Sequence, residues 1–452
     1  MKIVIIGAGS TVFTPGLIAD LTGSTLFADA TVALVDINTR SAEIMARYAE
    51  RVARERGLGL RVECATDRRE VLAGADFVTV TIAVGGARAW ERDVRIPETH
   101  GVYQTVGDSV GPGGVFRALR HVPELVSIAK DMEELCPDAW LFNYTNPLTA
   151  LVRAVHKSSP IRCAGLCHGV LHTREAIAHD LGLAPAELSL TAAGLNHLSW
   201  VLDLRHEGVD VYPRYRELIR SWLVSPPPGS GDPYEGFQEV SARLMDLYGF
   251  YPLPGDRHVA EFFPFFLRQA GNSLGYGLQS GLDMTNEILA SRDERWDRIA
   301  DQAEGRAELN RDLFDESREG ERVVSIMEAI VTDRPLLELA VNVRNDGLIP
   351  NLPPDAVVEV PGIADGRGVH GIAVGALPEG IAGILAARAR QQELTVDAAL
   401  TGDRALALQA LLVDPLVPSV ESAASMLDEA LEAHATHLPQ FFSPLASLGQ
   451  HG

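Results

Sequence analysis

Cys167-His168-Gly169 and, thirty residues on, Asn196-His197 carry the side chains best suited to chemistry. Residues 161–166, an apolar run, lead into the first motif and read as a buried strand; a second apolar stretch precedes His197. A Cys and a His at a strand end lie where open α/β sheets keep their functional groups. One thiolate and one imidazole make half a site for a borderline divalent metal, and substrate oxygens could supply the rest. Three other stretches are polar in places where chemistry is expected. Asn143-Tyr144-Thr145-Asn146-Pro147 offers two amides that can hold ribose or sugar hydroxyls, although Asn before Pro is also a common turn. Residues 104–114 are dense in glycine and carry Asp108, so they can face a ligand or simply form a surface loop. Residues 248–264 are aromatic yet contain Asp256, Arg257, His258 and Glu261. That mixture suits a sugar or organic-acid pocket, and equally an ion-paired loop.

The elements that must position these groups alternate. Residues 2–6 read as a buried strand, Gly7-Ala8-Gly9-Ser10 as a tight turn, residues 14–26 as a helix with Pro15 in its first turn, and residues 31–35 as a strand ending at Asp36. Glycines at such a turn let the backbone approach a pyrophosphate seated on the helix N-terminus. Asp36 follows Gly9 by 27 residues, the place of an acid that binds a ribose 2′-hydroxyl and so favours NAD over NADP. The third glycine of that fingerprint is replaced by Val12. Helices over 39–57, 115–135 and 147–156 alternate with strands over 61–65, 76–83 and 140–144, which implies right-handed crossovers and a parallel sheet. Beyond Cys167 the pattern changes. It reads as a helix at 170–182, strands at 188–193 and 198–204, a hairpin turn at Glu207-Gly208, a mostly helical 308–339, a turn-rich 342–353, a strand at 357–360 and amphipathic helices at 377–392, 395–412 and 419–434. Residues 225–233, rich in Pro and Gly, read as a mobile loop near a pocket. The expected fold class is α/β. A Rossmann doubly wound parallel sheet over 1–195 binds the dinucleotide, and a mixed α+β domain over 196–452 supplies substrate, metal and oligomer contacts.

Composition narrows the class. A chain of 452 residues exceeds one ordinary core, so two intimately packed domains are expected. A net charge of −22 argues against nucleic acid, whose phosphates need a basic surface. No basic-then-apolar leader and no membrane-length apolar run is seen, and the four cysteines fit neither a disulfide framework nor a zinc module. A soluble cytoplasmic protein is expected.

In order along the chain, Gly7-Ala8-Gly9-Ser10 with Asp36, Gly107-Asp108 with Gly111-Pro112-Gly113-Gly114, Asn143 to Pro147, Cys167-His168-Gly169, Asn196-His197 and residues 345–361 together resemble glycoside hydrolase family 4, the NAD- and manganese-dependent glycosidases. The resemblance implies a lactate/malate dehydrogenase-like fold and hydrolysis by a redox route. NAD takes hydride from C3 of the sugar, a base removes the acidified C2 proton, the leaving group departs, water adds, and NADH reduces C3 again. It implies Mn²⁺, or another divalent metal, on Cys167 and His197, with NAD on Gly7, Gly9, Ser10, Val12, Phe13, Asp36 and Asn143. His168 takes the role of general acid; Asp256 is the first candidate base and Tyr251 the second. Asn146 and His258 would bind the sugar. The His-Gly pair after the metal Cys looks most like the α-uronidase branch (galacturonide or glucuronide), and Arg88 and Arg257 are the cations that could grip a uronate. Neutral α-galactosides or α-glucosides are the alternative substrates. A 2-hydroxyacid dehydrogenase, which needs no metal, is the competing reading. Homodimers or homotetramers are usual in the resembled family.

Overall fold

The computed structural model describes residues 1–227, 236–270, 273–314 and 321–442. Six parallel strands form its first half: β1 (Lys2–Ile6), β2 (Thr31–Val35), β3 (Arg61–Ala65), β4 (Phe77–Val80), β5 (Trp140–Asn143) and β6 (Arg162–Gly165). Their spatial order is β3-β2-β1-β4-β5-β6, the doubly wound Rossmann arrangement. Helices cover both faces, so the strands are near-continuous apolar runs rather than alternating ones. In β1, Ile3 and Ile5 pack with helices α1 (Thr14–Gly23) and α2 (Thr39–Glu55). Val4 and Ile6 face the other way. They join α5 (Gly111–Leu135) and α6 (Leu148–Ser158), which are preceded in the chain by the short α3 (Arg69–Leu72) and by α4 (Gly86–Thr99).

The sheet does not stop at β6. The strand Leu336–Arg344 pairs antiparallel with β6 through Asn342 and Gly165, and Val357–Asp365 pairs with it in turn. Next come β7 (Leu188–Leu195), β8 (Leu198–His206) and Tyr251–Leu253. The α/β class expected from the sequence is therefore present as one sheet crossing the molecule. The expected domain boundary at 195/196 falls in the β7–β8 turn, between two strands that pair with each other.

Local expectations differ from the fold in three places. Among the described residues of 308–339, helix is found over Arg322–Thr332 and as a short turn at Arg311–Phe314; Leu336–Arg344 is a strand. Its Leu, Glu and Ala favour a helix locally, but edge-to-edge pairing on both sides overrides that preference. The helices expected at 377–392 and 395–412 are one helix, Glu379–Thr401, then a second, Arg404–Val413. Gly402, at φ 71°, ends the first, and the Asp403 carboxylate accepts from the Ala405 and Leu406 amides to start the second. The glycine-rich stretch is shorter than read, because α5 begins at Gly111. The proline-rich segment lies outside the described residues from 228 to its end at 233.

Candidate active site

The strand ends of the parallel half and the β7–β8 turn converge on one point. His197 occupies that turn at φ 68°, a left-handed conformation uncommon for a non-glycine residue. Its Nε2 lies 3.7 Å from Cys167 Sγ, and its Nδ1 lies 2.6 Å from Ser109 Oγ. Ser109 Oγ donates to Asp108 Oδ1 at 2.7 Å, and Asn146 Nδ2 donates to Asp108 Oδ2 at 3.0 Å. This chain assigns the Nδ1–H tautomer and leaves the Nε2 lone pair facing the sulfur, as a metal-ligating imidazole requires. With ligand bonds near 2.0–2.1 Å for nitrogen and 2.3 Å for sulfur, a 3.7 Å separation is the span of two ligands on one cation. The residues therefore fit a divalent metal. His258 completes the cluster: its ring centroid is 3.9 Å from that of His197, and ligand atoms of Asp108, His197 and His258 all lie within 4.8 Å of one another.

Burial sets the charge states. The Cys167 thiol is pushed up to about 12 by burial and by the Glu359 and Asp108 carboxylates, with the Gly169 amide and the Asn196 side chain opposing. Burial, then the neighbouring His197, push His258 down to about 3, so it is a neutral imidazole. Burial pushes Asp108 up, but His197, His258 and Arg117 outweigh it and hold the carboxyl below its ordinary range. Arg117 lies over the Trp90 ring and donates to the Asn146 carbonyl at 3.0 Å. Asp108 and Ser109 are fixed from behind. Glu261 Oε1 accepts from the Val106 and Gly107 amides at 2.7 Å each, and Asp414 Oδ2 accepts from the Gly111 amide at 2.9 Å.

The dinucleotide end is built as the sequence suggests. Gly7, at φ 87°, lies so close to the Thr81 backbone that a Cβ would come within 2.7 Å. The Gly9 amide donates to Asp36 Oδ2 at 2.8 Å, which anchors that acid at the end of β2. Ser10 Oγ accepts from the Phe13 amide, Val12 is exposed, and no side chain caps α1. An uncapped helix start behind a bare turn fits a pyrophosphate. Asn143 is different. It is fully buried, and both ends of its amide bond the Thr145 backbone, so it shapes the turn instead of reaching outward.

Several expected residues are not brought into the cluster. Asp256 accepts from the Val240 and Ser241 amides at 2.7 and 2.8 Å. It caps the helix Glu239–Tyr248, because a buried carboxylate is held well by unpaired helix N–H groups. Tyr251 is buried among the side chains of β7, β8 and the neighbouring helices, its ring against Tyr215. His168 has its Nε2 2.9 Å from Glu321 and its ring beside Tyr144 and His172. It shares a small cavity with Cys167, Tyr144, Arg322 and Glu338. Arg257 donates to the Thr105 carbonyl and to Met284 Sδ, and Arg88 is exposed in the first turn of α4. Gly169 has no room for a side chain: a Cβ there would meet Pro254 at 2.6 Å. Sequence reasoning missed the roles of Ser109, Arg117, Glu321 and Glu359, which carry no local motif. The glycine density around Asp108 was the one usable signal.

The family 4 glycosyl hydrolase model matches residues 2–183, and the model of that family's C-terminal domain matches residues 192–417. An alpha-galactosidase of Bacillus subtilis is 32% identical over 97% of this chain and 99% of its own length. An alpha-galacturonidase of the same organism is 32% identical over 94% and 96%. A 6-phospho-alpha-glucosidase from gut microorganisms, solved in complex with NAD and Mn²⁺, superposes with a TM-score of 0.80 over 97% of this chain and 99% of that one; at 22% identity the likeness is one of fold. With both halves of the chain matched and the Cys–His pair assembled between them, the protein belongs to the family 4 glycosyl hydrolases.

Proposed function

We propose that this enzyme hydrolyses non-phosphorylated α-glycosides, α-uronides first among them, with NAD and a divalent metal, Mn²⁺ or a neighbour, as cofactors. The observation that carries the reading is the Cys167–His197 pair, oriented by Ser109 and Asp108. NAD would lie on the turn Gly7 to Phe13 with Asp36 at its ribose, and the metal on Cys167 and His197. Bound there, the pair supplies a hydride acceptor and a Lewis acid. The chain's own residues do the rest. Asn146 and Arg117 position sugar hydroxyls beside the ligands. His168, its Nε2 2.9 Å from Glu321, donates a proton to the departing oxygen. Asp256, whose carboxyl burial pushes up to about 6, takes the ring proton, with Tyr251 the second candidate, while His258 Nδ1, buried and without a hydrogen-bond partner among the described residues, binds a sugar hydroxyl. The protein acts in the cytoplasm as a homo-oligomer.

The uronide reading rests on the His168-Gly169 pair and on Arg88, the exposed cation of the expected pair. One observation favours neutral α-galactosides as the second reading: Arg257 is turned onto Thr105 and Met284. Incubation with NAD, Mn²⁺, a thiol reductant and p-nitrophenyl α-glycosides of galacturonic acid, glucuronic acid, galactose and glucose separates them. Nitrophenol release without net NADH is expected, fastest on a uronide. Net NADH from malate or lactate would instead support a dehydrogenase. Cys167→Ser is expected to abolish metal-dependent turnover.

A further inference from the structure

One row of residues crosses the sheet just below the ligand pair. Asn143 is in register with Gly165, Gly165 with Asn342, Asn342 with Glu359, and Glu359 with Gly194. Glu359 is the charged member, only 2% exposed. Its carboxylate accepts from Asn342 Nδ2 at 3.0 Å, Asn196 Nδ2 at 3.1 Å and Ser199 Oγ at 2.8 Å. Asn196 and Ser199 flank the turn that carries His197 in its left-handed conformation, so one carboxylate ties both ends of that turn to the central strand. No arginine or lysine pairs with Glu359 among the described residues. A buried carboxylate with three neutral donors and no cation is costly unless a positive charge lies close by. Its field reaches both Cys167 and His197.

We infer that Glu359 is a positioning residue for the metal: it locks the His197 turn, and its charge is balanced by the dication held on Cys167 and His197. The inference rests on the metal reading above. It assigns to a residue of the far strand a share of metal affinity that the two ligands alone do not provide. Outer-shell partners of metal sites typically contribute 10- to 100-fold in affinity.

The test is Co²⁺ binding to the metal-free, full-length protein without substrate, followed by the thiolate-to-cobalt charge-transfer absorption. Glu359→Gln, which keeps the shape and removes the charge, is expected to weaken Co²⁺ binding about 10- to 100-fold and to reduce or displace that band. NADH binding, read by fluorescence, should stay within about twofold. Glu359→Asp keeps the charge on a shorter arm and should lie between, about three- to tenfold weaker than wild type; it serves on its own if the Gln variant does not fold. Ser199→Ala removes one hydrogen bond and leaves the charge, so it should stay within about threefold. Wild-type affinity and an unchanged band in both Glu359 variants would overturn the inference, as would Ser199→Ala weakening binding as much as Glu359→Gln. A wild-type protein that binds no Co²⁺ would overturn the metal reading itself, and this inference with it.

Discussion

At the scale of single residues, the site works through groups that hold other groups. His197 can present Nε2 to a metal because Nδ1 is engaged by Ser109 and, through it, Asp108. Ser109→Ala is therefore expected to weaken Mn²⁺ binding about tenfold, measured by the electron-spin signal of free Mn²⁺, while the fold is kept. Glu261 shows the same logic for the loop. Burial, with Asp108 adding its charge, pushes Glu261 up to about 8 against the pull of the Val106 and Gly107 amides. Its folded pKa exceeds its unfolded one, so its contribution to stability is complete at acid pH and is lost as pH rises through about 8. Glu261→Gln imitates the neutral acid. The difference in melting temperature between variant and wild type should move in the variant's favour from pH 5 to pH 9; a constant difference would refute the assignment. Cys167, His197 and Asn146 were legible in the sequence because each falls at a strand end or turn with a recognisable neighbour. Ser109 was not, since its partner His197 lies 88 residues away, and Glu261 was read only as part of a charged, aromatic stretch because the amides it holds lie about 155 residues away.

At the scale of elements, close approach explains the glycines better than flexibility does. Gly7→Ala would place a methyl group 2.7 Å from the Thr81 backbone, in a left-handed conformation besides. Loss of NADH binding and destabilisation of about 2 kcal/mol or more are expected, read by fluorescence and denaturant titration. Gly169→Ala would drive a Cβ against Pro254 and displace the turn that carries Asp256, so a lower melting temperature is expected, not merely an altered substrate range. The alternation of strands and helices up to β6 was readable because each segment obeys its own period. The strand Leu336–Arg344 was not, because its helix-favouring side chains yield to pairing with β6 and with Val357–Asp365.

Across the whole molecule, the C-terminal helices belong to the same core as the Rossmann half. Met426, Leu427 and Ala430 pack in one cluster with Val4 and Val78. A buried polar contact reinforces this: Arg120 donates twice to Asp93, at 2.6 and 2.7 Å, and His434 Nε2 lies 3.0 Å from the same carboxylate. Breaking a buried pair leaves an uncompensated charge, so Asp93→Ala is expected to cost about 3–5 kcal/mol in urea unfolding. A loss under about 1 kcal/mol would show that the contact holds nothing together. No helix among the described residues is long and apolar enough to cross a membrane.

The sequence by itself determined the dinucleotide half, the family and the positions of Cys167 and His197 at a strand end and a turn, because turn chemistry, hydrophobic period and motif spacing are written in neighbouring residues. Only the tertiary structure decided which polar groups meet. It brought Asp108, Ser109 and His258 onto His197, tied Glu359 to Asn196 and Ser199, and held Asp256 on the Val240 and Ser241 amides and Tyr251 against Tyr215. Those outcomes join residues distant in the chain, 16 positions apart for Asp256 with Val240 and 163 for Asn196 with Glu359, and where strands carry them a register shift of one residue reverses the face on which every side chain lies.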